Sequence, residues 1–464
     1  MSADPVLVLQ LRRMGDLILT FPLLLALGRQ YPEHPLWVAA DPRFFRELMP
    51  LAPKAVFFPP EHLPVLARRS YINLDTRPEA AACMAALDAP LKLGPMAEGS
   101  GLRIQGFWQL YRAALTRNNR HNAFHWADLH RLDVLPPGPW WPGSAPGPSH
   151  ARQTAGGVKV GLVLGASEAA KRPDARFWTR LVMRLARAGL VPFLLGGPAE
   201  RELGAEVARR ARLPQANLCG RLSLYEVAAV MRGLALCVTP DTGPMHLADW
   251  LGVPVLNLSM GPVHARETGP VSPGQWVLRA AMSCVGCWNC QRPRLFCKAA
   301  FTPEAVGRAV LAVLERPRDI PEPGDAPWPG LRLLRTGRDE LGLHTLDPVG
   351  NANSAGRLLE DFWQAAFLCC AGQDLVPLLR RRAQTLHAAA PALGERLRAA
   401  VGRMLANWGR MGGHPLPENF WMVQPPMLRI FAGHAQMTLQ NADFSKAAWQ
   451  CVLERAELLR GILT

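Results

Sequence analysis

The stretch that most narrows what this chain can fold into is Val238-Thr239-Pro240-Asp241-Thr242-Gly243-Pro244-Met245-His246. The apolar run Leu234 to Val238 fits a strand buried on both faces, and Met245 to Leu251 continues with helical spacing. Asp241 or Thr242 can cap that helix, Gly243 lets backbone approach a ligand, and Pro244 sits where its missing N–H costs nothing. The product is a row of N–H groups at the positive end of a helix dipole, which suits a phosphate. His246, three residues after Gly243 and four after Thr242, shares a face with that opening turn. The plainer alternative is an ordinary strand, turn and capped helix with His246 as a satisfied core histidine.

A resemblance favours the ligand. Asp241-Thr242-Gly243-Pro244-Met245-His246, then Leu251-Gly252-Val253-Pro254-Val255, Gly261-Pro262 and Thr268-Gly269-Pro270, resembles the nucleotide-sugar half of the heptosyltransferases, glycosyltransferase family 9. Those enzymes build the inner core of bacterial lipopolysaccharide from ADP-heptose. The likeness runs from about residue 6 to about residue 315.

Length and charge agree with a multidomain protein that meets anions. A chain of 464 residues suggests two to four domains, and 49% hydrophobic with 19% charged residues is a globular composition. The formal charge of +15 implies anionic partners, among which nucleic acid, an acidic membrane face and a phosphorylated sugar all qualify. Only six of the 52 basic residues are Lys, so part of the arginine load is compositional bias. Met1-Ser2-Ala3-Asp4-Pro5 has no basic flank, and no apolar stretch reaches membrane-spanning length. The expectation is a cytoplasmic protein, with the cytoplasmic face of the inner membrane as a peripheral site, and ten cysteines that are thiols or metal ligands before disulfides.

In the first half, Val6 to Leu11 reads as a buried strand, Arg12 to Asp16 as the turn after it, and Leu17 to Tyr31 as a helix. Ligands of open parallel sheets gather outside the carboxyl ends of the strands, which puts Asp16 in a favourable place, although an N-cap aspartate would look the same. The resemblance implies that Asp16 is the general base that takes the proton of the acceptor hydroxyl. Strand signals at Leu36 to Ala40, Ala55 to Phe58 and Tyr71 to Asp75 alternate with helical stretches, the rhythm of βαβ units. Asn122 to Asp128 also resembles a family segment, in which His125 could face acceptor or serve packing. Pro136 to Gly157 is rich in breakers and reads as an interdomain linker.

The second half restarts with Val158 to Gly165. By resemblance Lys171 contacts the diphosphate, and an acidic residue after the Gly196-Gly197 turn binds the ribose hydroxyls. Glu200 is the nearest match, and Glu202 stands two residues away. Ser223 to Glu226 is a capping box of structural use. The repeated pattern of strand, glycine turn and helix, with the resemblance, implies an α/β chain of the GT-B type: a Rossmann-like acceptor domain over 1–135, a linker over 136–157, and a Rossmann-like nucleotide-sugar domain over 158–316. Such a site handles a diphosphate with N–H groups and a lysine, so no cofactor is expected for catalysis.

Cys284-x₂-Cys287-x₂-Cys290-x₆-Cys297 is spaced so that thiolates can converge on one ion, and structural zinc or iron is chemically reasonable there; reduced thiols in a loop are the alternative. After the breaker-rich Pro317 to Pro329, residues 331–464 carry helical spacing at Leu358–Cys370, Leu375–Ala388, Leu393–Ala406, Met427–Met437 and Ala447–Leu463, which predicts a helical appendage. The function implied is inverting transfer of heptose from an ADP-heptose donor to a lipopolysaccharide core acceptor. Asp16 would be catalytic, and Lys171, Glu200, Asp241, Thr242, Gly243, Pro244 and His246 would bind substrate. A transferase acting on a protein acceptor, such as an autotransporter, and a non-enzymatic basic module for nucleic acid remain alternatives; nucleic acid is not the expected partner.

Overall fold

The computed structural model of the chain describes residues 4–65, 70–99, 101–138, 157–284, 286–287, 290, 292–315, 328–349, 354–411 and 414–464. In order, the first elements are β1 (Val6–Gln10), α1 (Met14–Ile18), α2 (Phe21–Gln30), β2 (Leu36–Ala40), α3 (Pro42–Leu48), β3 (Val56–Phe58), β4 (Ser70–Asn73) and α4 (Pro78–Ala86). A hairpin, β5 (Leu91–Glu98) and β6 (Gly101–Gln105), follows with α5 (Phe107–Ala114) and α6 (Trp126–Leu132). The second series is β7 (Val158–Val163), α7 (Ala175–Arg187), β8 (Leu190–Leu195), α8 (Arg201–Ala211), α9 (Leu224–Arg232), β9 (Leu236–Pro240), α10 (Gly243–Trp250), β10 (Val255–Ser259), α11 (Ala265–Thr268) and β11 (Trp276–Ala280). It ends with α12 (Phe296–Ala299), α13 (Pro303–Glu315), β12 (Leu331–Arg338) and β13 (His344–Pro348). Five helices close the chain: α14 (Ala355–Cys370), α15 (Val376–Ala389), α16 (Pro391–Met411), α17 (Arg429–Asn441) and α18 (Lys446–Leu463).

The chain separates into two compact units. One holds Met1–Lys92 with His125–Asn351, and the other holds Leu93–Phe124 with Ala352–Thr464. The first unit is built on two parallel-dominant sheets. β1 lies between β2 and β4, with Val8 opposite Val38 and Ile72, and β3 pairs with β2. The other sheet runs β13-β12-β11-β10-β9-β7-β8, parallel except for the antiparallel β12 and β13. All five residues of β1, β9 and β10 are buried, as expected of parallel strands covered on both faces. Each fully buried Val or Leu there contributes about 2 kcal/mol of apolar burial. α7 is held at its start by Asp174, whose side chain accepts from Phe177 N at 2.8 Å, and it buries Trp178, Leu181 and Leu185 against that sheet. The capping box forms as expected, with Ser223 N donating to Glu226 Oε2 at 2.8 Å.

Three expectations change. The helix foreseen over 17–31 is two helices, because Pro22 has no N–H to continue the ladder and Thr20 turns its hydroxyl onto Leu17 O at 2.6 Å. The helical appendage foreseen from 331 begins at Ala355; residues 331–348 are the β12–β13 hairpin, whose buried Leu331 and Leu333 extend the second sheet's core. The acceptor domain foreseen over 1–135 is divided, since Leu93–Phe124 belong with the terminal helices. The expected linkers fall largely on 139–156 and 316–327, outside the described residues.

In the second unit, α14 and α17 supply a core of rings. Trp363 stacks on Phe431 at 5.9 Å, and Tyr111 meets Phe367 edge-on at 4.7 Å. Asn441 ties α17 to the hairpin by accepting from Ile104 N at 2.7 Å and donating to Ile104 O at 3.0 Å. The four terminal helices that the spacing foresaw as separate elements after α14 all form.

Candidate active site

Within the first unit, the loops after β1, β7, β8 and β9 gather at the carboxyl ends of the strands. The opening turn of α1 packs against that of α10. A Cβ placed on Gly15 would stand 3.0 Å from His246 Cδ2 and 3.3 Å from Gly243 Cα, so any side chain here would press on the approach of the two turns. Neighbouring contacts reinforce it. Arg13 Nη1 donates to Ser167 Oγ at 3.2 Å, Trp250 Nε1 donates to Leu51 O at 2.7 Å, and the Leu224 N–H donates to Glu47. Phe21 meets Trp250 edge-on at 5.3 Å.

Asp241 lies at the centre. Burial pushes its carboxyl up to about 6; Lys171 and a hydrogen bond from Thr268 Oγ1 (3.0 Å) pull it down, and the charges of Asp16 and Glu168 push it up again. Asp16 is therefore within electrostatic reach of Asp241, although one follows the first sheet's β1 and the other the second sheet's β9. Lys171 Nζ pairs with Glu168 Oε1 at 3.2 Å and is mostly buried. Its cation thus sits between Glu168 and Asp241.

Thr242, not Asp241, is the N-cap of α10. It is extended, at φ −158° and ψ 165°, and its side chain makes no capping bond. Asp241 is committed to Thr268 instead. Pro244 stands in the first turn, and Met245 N already donates to Thr242 O at 3.0 Å. The anion-facing donors of this turn reduce to the N–H groups of Thr242 and Gly243. His246 is buried and neutral, its ring pushed down to about 3 by burial and by the nearby His125, and Nδ1 has no hydrogen-bond partner among the described residues.

Glu200 lies across the ends of β7 and β8. Its Oε2 accepts from Gly197 N at 2.9 Å, and a Cβ on Gly165 would come within 2.5 Å of its carboxyl carbon. Arg172 Nη1 stands 4.0 Å from Oε1. Glu202 is exposed in the first turn of α8.

His125 lies near His246, with its own ring nitrogens engaged by backbone. It caps α6 by accepting from Ala127 N at 3.1 Å, and its Nε2 meets Gly269 O at 3.0 Å; burial holds it at about 4. Glu168 and Ser167 have no periodicity or motif of their own by which sequence reasoning could find them. Thr268 could have been suspected only because it opens the quoted Thr-Gly-Pro.

The four clustered cysteines are half-buried free thiols. Burial, then Cys284, Cys290 and Cys297, raise the Cys287 thiol to about 11. Among the described residues no group of three or more His, Cys, Asp or Glu stands in ligating geometry. The donor set suits a soft or borderline cation, and the distances do not yet.

Residues 128–294 match the family model described as glycosyltransferase family 9 (heptosyltransferase). Lipopolysaccharide heptosyltransferase 1 of Pseudomonas aeruginosa is 31% identical over 165 residues, covering 32% of this chain and 45% of that protein. Lipooligosaccharide heptosyltransferase 2 of Campylobacter jejuni is 25% identical over 154 residues, covering 32% and 48%. The chain thus spans about half the length of these relatives. Among solved structures, a glycosyl transferase family 9 protein of Veillonella parvula aligns with TM-score 0.52 and 19% identity, over 68% of this chain and 98% of that one. ADP-heptose lipopolysaccharide heptosyltransferase II of E. coli aligns with TM-score 0.50 and 19% identity, over 67% and 98%. At that identity the structural likeness speaks to the two-sheet α/β fold. The segment that resembles glycosyltransferase family 9, residues 128–294, is the one that carries the α10 turn with Lys171, Glu200 and Thr268.

Proposed function

We propose that the chain is an inverting glycosyltransferase that moves heptose from ADP-heptose to the inner core of lipopolysaccharide. The observation that carries this reading is the meeting of the α1 and α10 turns, with Asp16 in electrostatic reach of Asp241 beside the opening of α10. A base from one sheet and a diphosphate seat from the other are what a displacement at an anomeric carbon needs.

In the proposed step Asp16 takes the proton of an acceptor hydroxyl as its oxygen attacks the anomeric carbon. The bond from that carbon to the ADP oxygen breaks on the opposite face, which inverts the configuration. Charge growing on the departing diphosphate is met by Lys171 and by the N–H groups of Thr242 and Gly243, with the α10 dipole behind them. Pro244 fixes the turn. Glu200 accepts from the ribose hydroxyls, and Asp241 and His246 address the sugar and phosphates; neutral His246 can donate or accept without adding charge. The step asks no cofactor. A structural zinc or iron would be held by Cys284, Cys287, Cys290 and Cys297 once that loop draws in, and its thiolate ligands would stabilise the loop. Elemental analysis of purified protein finding neither metal would remove that part.

Among the described residues no helix is long and apolar enough to cross a membrane. The proposed setting is the cytoplasm, with the acceptor presented at the cytoplasmic face of the inner membrane. The test offers purified protein ADP-heptose and other nucleotide sugars, with heptose-deficient lipopolysaccharide or an autotransporter passenger as acceptor. Transfer to the lipopolysaccharide with ADP-heptose alone is expected. Transfer only to the passenger would replace the acceptor, and no turnover with any donor would refute the reading.

A further inference from the structure

A second cationic feature lies wholly in the second unit, in the segment after α5 and the turn before α17. Arg117, Arg120, His121 and Arg429 line a recess of about 310 Å³, counting its open mouth, together with Asn118 and Trp421. No carboxylate lines it. Arg117 and Arg120 are exposed, and Arg117 holds a left-handed conformation, φ 58°. The recess has a fixed floor. Asn118 Nδ2 donates to Arg429 O at 2.8 Å, and Arg429 Nε donates to Gln424 O at 2.9 Å. His121 is held neutral, pushed down to about 4 by burial and by the charges of Arg120 and Arg429. Gathering three guanidiniums with no counter-charge in the lining costs repulsion that a bound anion would relieve.

Beside the recess the chain exposes apolar surface. Phe420–Val423 form a single 3₁₀ turn, Phe420 is buried in the unit's core, and the next residues point outward: Met422 is 48% exposed and Val423 78%. Val423 is the most exposed large hydrophobic side chain among the described residues. Neither is needed by the core, whose rings Trp408 and Phe431 pack on Phe420 or on each other. An apolar tip next to a basic recess is the arrangement that meets an anionic bilayer: the tip enters the acyl boundary while arginines take headgroup phosphates. A soluble polyanion would have no use for Met422 and Val423.

We infer that this face of the second unit docks on an anionic phospholipid surface, with a headgroup phosphate in the recess lined by Arg117, Arg120 and Arg429 and with Met422 and Val423 inserted beside it. The inference is independent of the proposed transfer reaction, since none of these residues belongs to the candidate active site.

The test sediments the full chain with vesicles of phosphatidylglycerol in phosphatidylcholine and with vesicles of phosphatidylcholine alone. Parallel runs use Arg120→Glu, Val423→Asp and added inorganic phosphate, and circular dichroism checks that each variant is folded. Binding to the phosphatidylglycerol vesicles is expected, with a partition coefficient roughly tenfold lower for each variant and on neutral vesicles. Binding that ignores lipid charge, or that both folded variants retain, would overturn the inference. So would a protein that ignores vesicles yet binds inorganic phosphate, which would make the recess a site for a soluble anion.

Discussion

Gly15 and Gly243 meet backbone to backbone: a Cβ on Gly15 would stand 3.3 Å from Gly243 Cα, and one on Gly243 would meet Met14 Cε at 2.4 Å and Gly15 N at 3.4 Å. Two helix openings from different sheets therefore share one small volume. Gly15→Val would force them apart, because its branched side chain collides with His246 and with backbone rather than with a flexible side-chain end. Loss of transfer by about 100-fold is expected, as for displaced catalytic geometry, with a stability loss of about 1–3 kcal/mol. Steady-state kinetics and denaturant unfolding measure both; wild-type turnover in the variant would show that the contact is dispensable.

The raised carboxyl of Asp241 predicts a pH dependence. Its folded value, about 6, lies above the ordinary 3.8 of the side chain, so the folded protein holds this proton more tightly than the unfolded chain does. Its effect on stability is absent below about 3.8, grows as an ionisation cost as pH rises, and is complete above about 6. A diphosphate should follow the same course, meeting a neutral Asp241 below about 6 and a repelling carboxylate above it. ADP affinity is expected to fall as pH rises through that range, beyond the change seen with Asp241→Asn. Thr268→Val removes the hydrogen bond that favours the charged form and should move the midpoint upward. Calorimetry across pH with identical curves for wild type and Asp241→Asn would dismiss this role.

Glu200 is the nearer family match with Glu202 two residues on, and three dimensions separate them, since Glu200 is 15% exposed at the strand ends and Glu202 is exposed. Glu200→Gln should weaken ADP binding by about tenfold, the cost of one charge-assisted hydrogen bond, and Glu202→Gln should leave it unchanged. The reverse order would move the ribose contact to Glu202.

A buried ion pair joins α6 to the β12–β13 hairpin. Asp128 accepts from Arg338 Nη1 and from His344 N, both at 2.8 Å, and Arg338 also donates to Val271 O at 2.8 Å. Asp128→Ala strands a buried guanidinium, and a loss of about 3–5 kcal/mol in unfolding free energy is expected. Guanidinium-chloride denaturation with a shift below about 1 kcal/mol would assign the hairpin's attachment to its apolar contacts instead.

Much of this was legible in one dimension because it depends on period and punctuation. β1 and β9 announced themselves as short apolar runs, and α14 to α18 as helical spacing. Asp16, Lys171, Glu200 and the 241–246 turn could be nominated because the stretches that hold them resemble those of a known family. What stayed hidden depends on pairing across the chain. Thr268 holding Asp241 and Glu168 holding Lys171 have no pattern that precedes folding. The β12–β13 hairpin was absorbed into the expected helical tail because Leu331-Arg332-Leu333-Leu334 alternates too briefly to stand out beside five amphipathic helices. That Leu93–Phe124 joins those helices was invisible for a simpler reason: its ring contacts, such as Tyr111 on Phe367, are made more than 200 residues away in sequence.

The most direct test separates binding from chemistry at Asp16. ADP-heptose affinity by calorimetry and transfer rate to a lipopolysaccharide acceptor should be measured on the same preparations of wild type and Asp16→Ala. A general base at this position predicts unchanged donor affinity with a rate lower by about 10²–10⁴. Equal turnover by Asp16→Ala, or a rate loss matched by an equal loss of donor affinity, would contradict it.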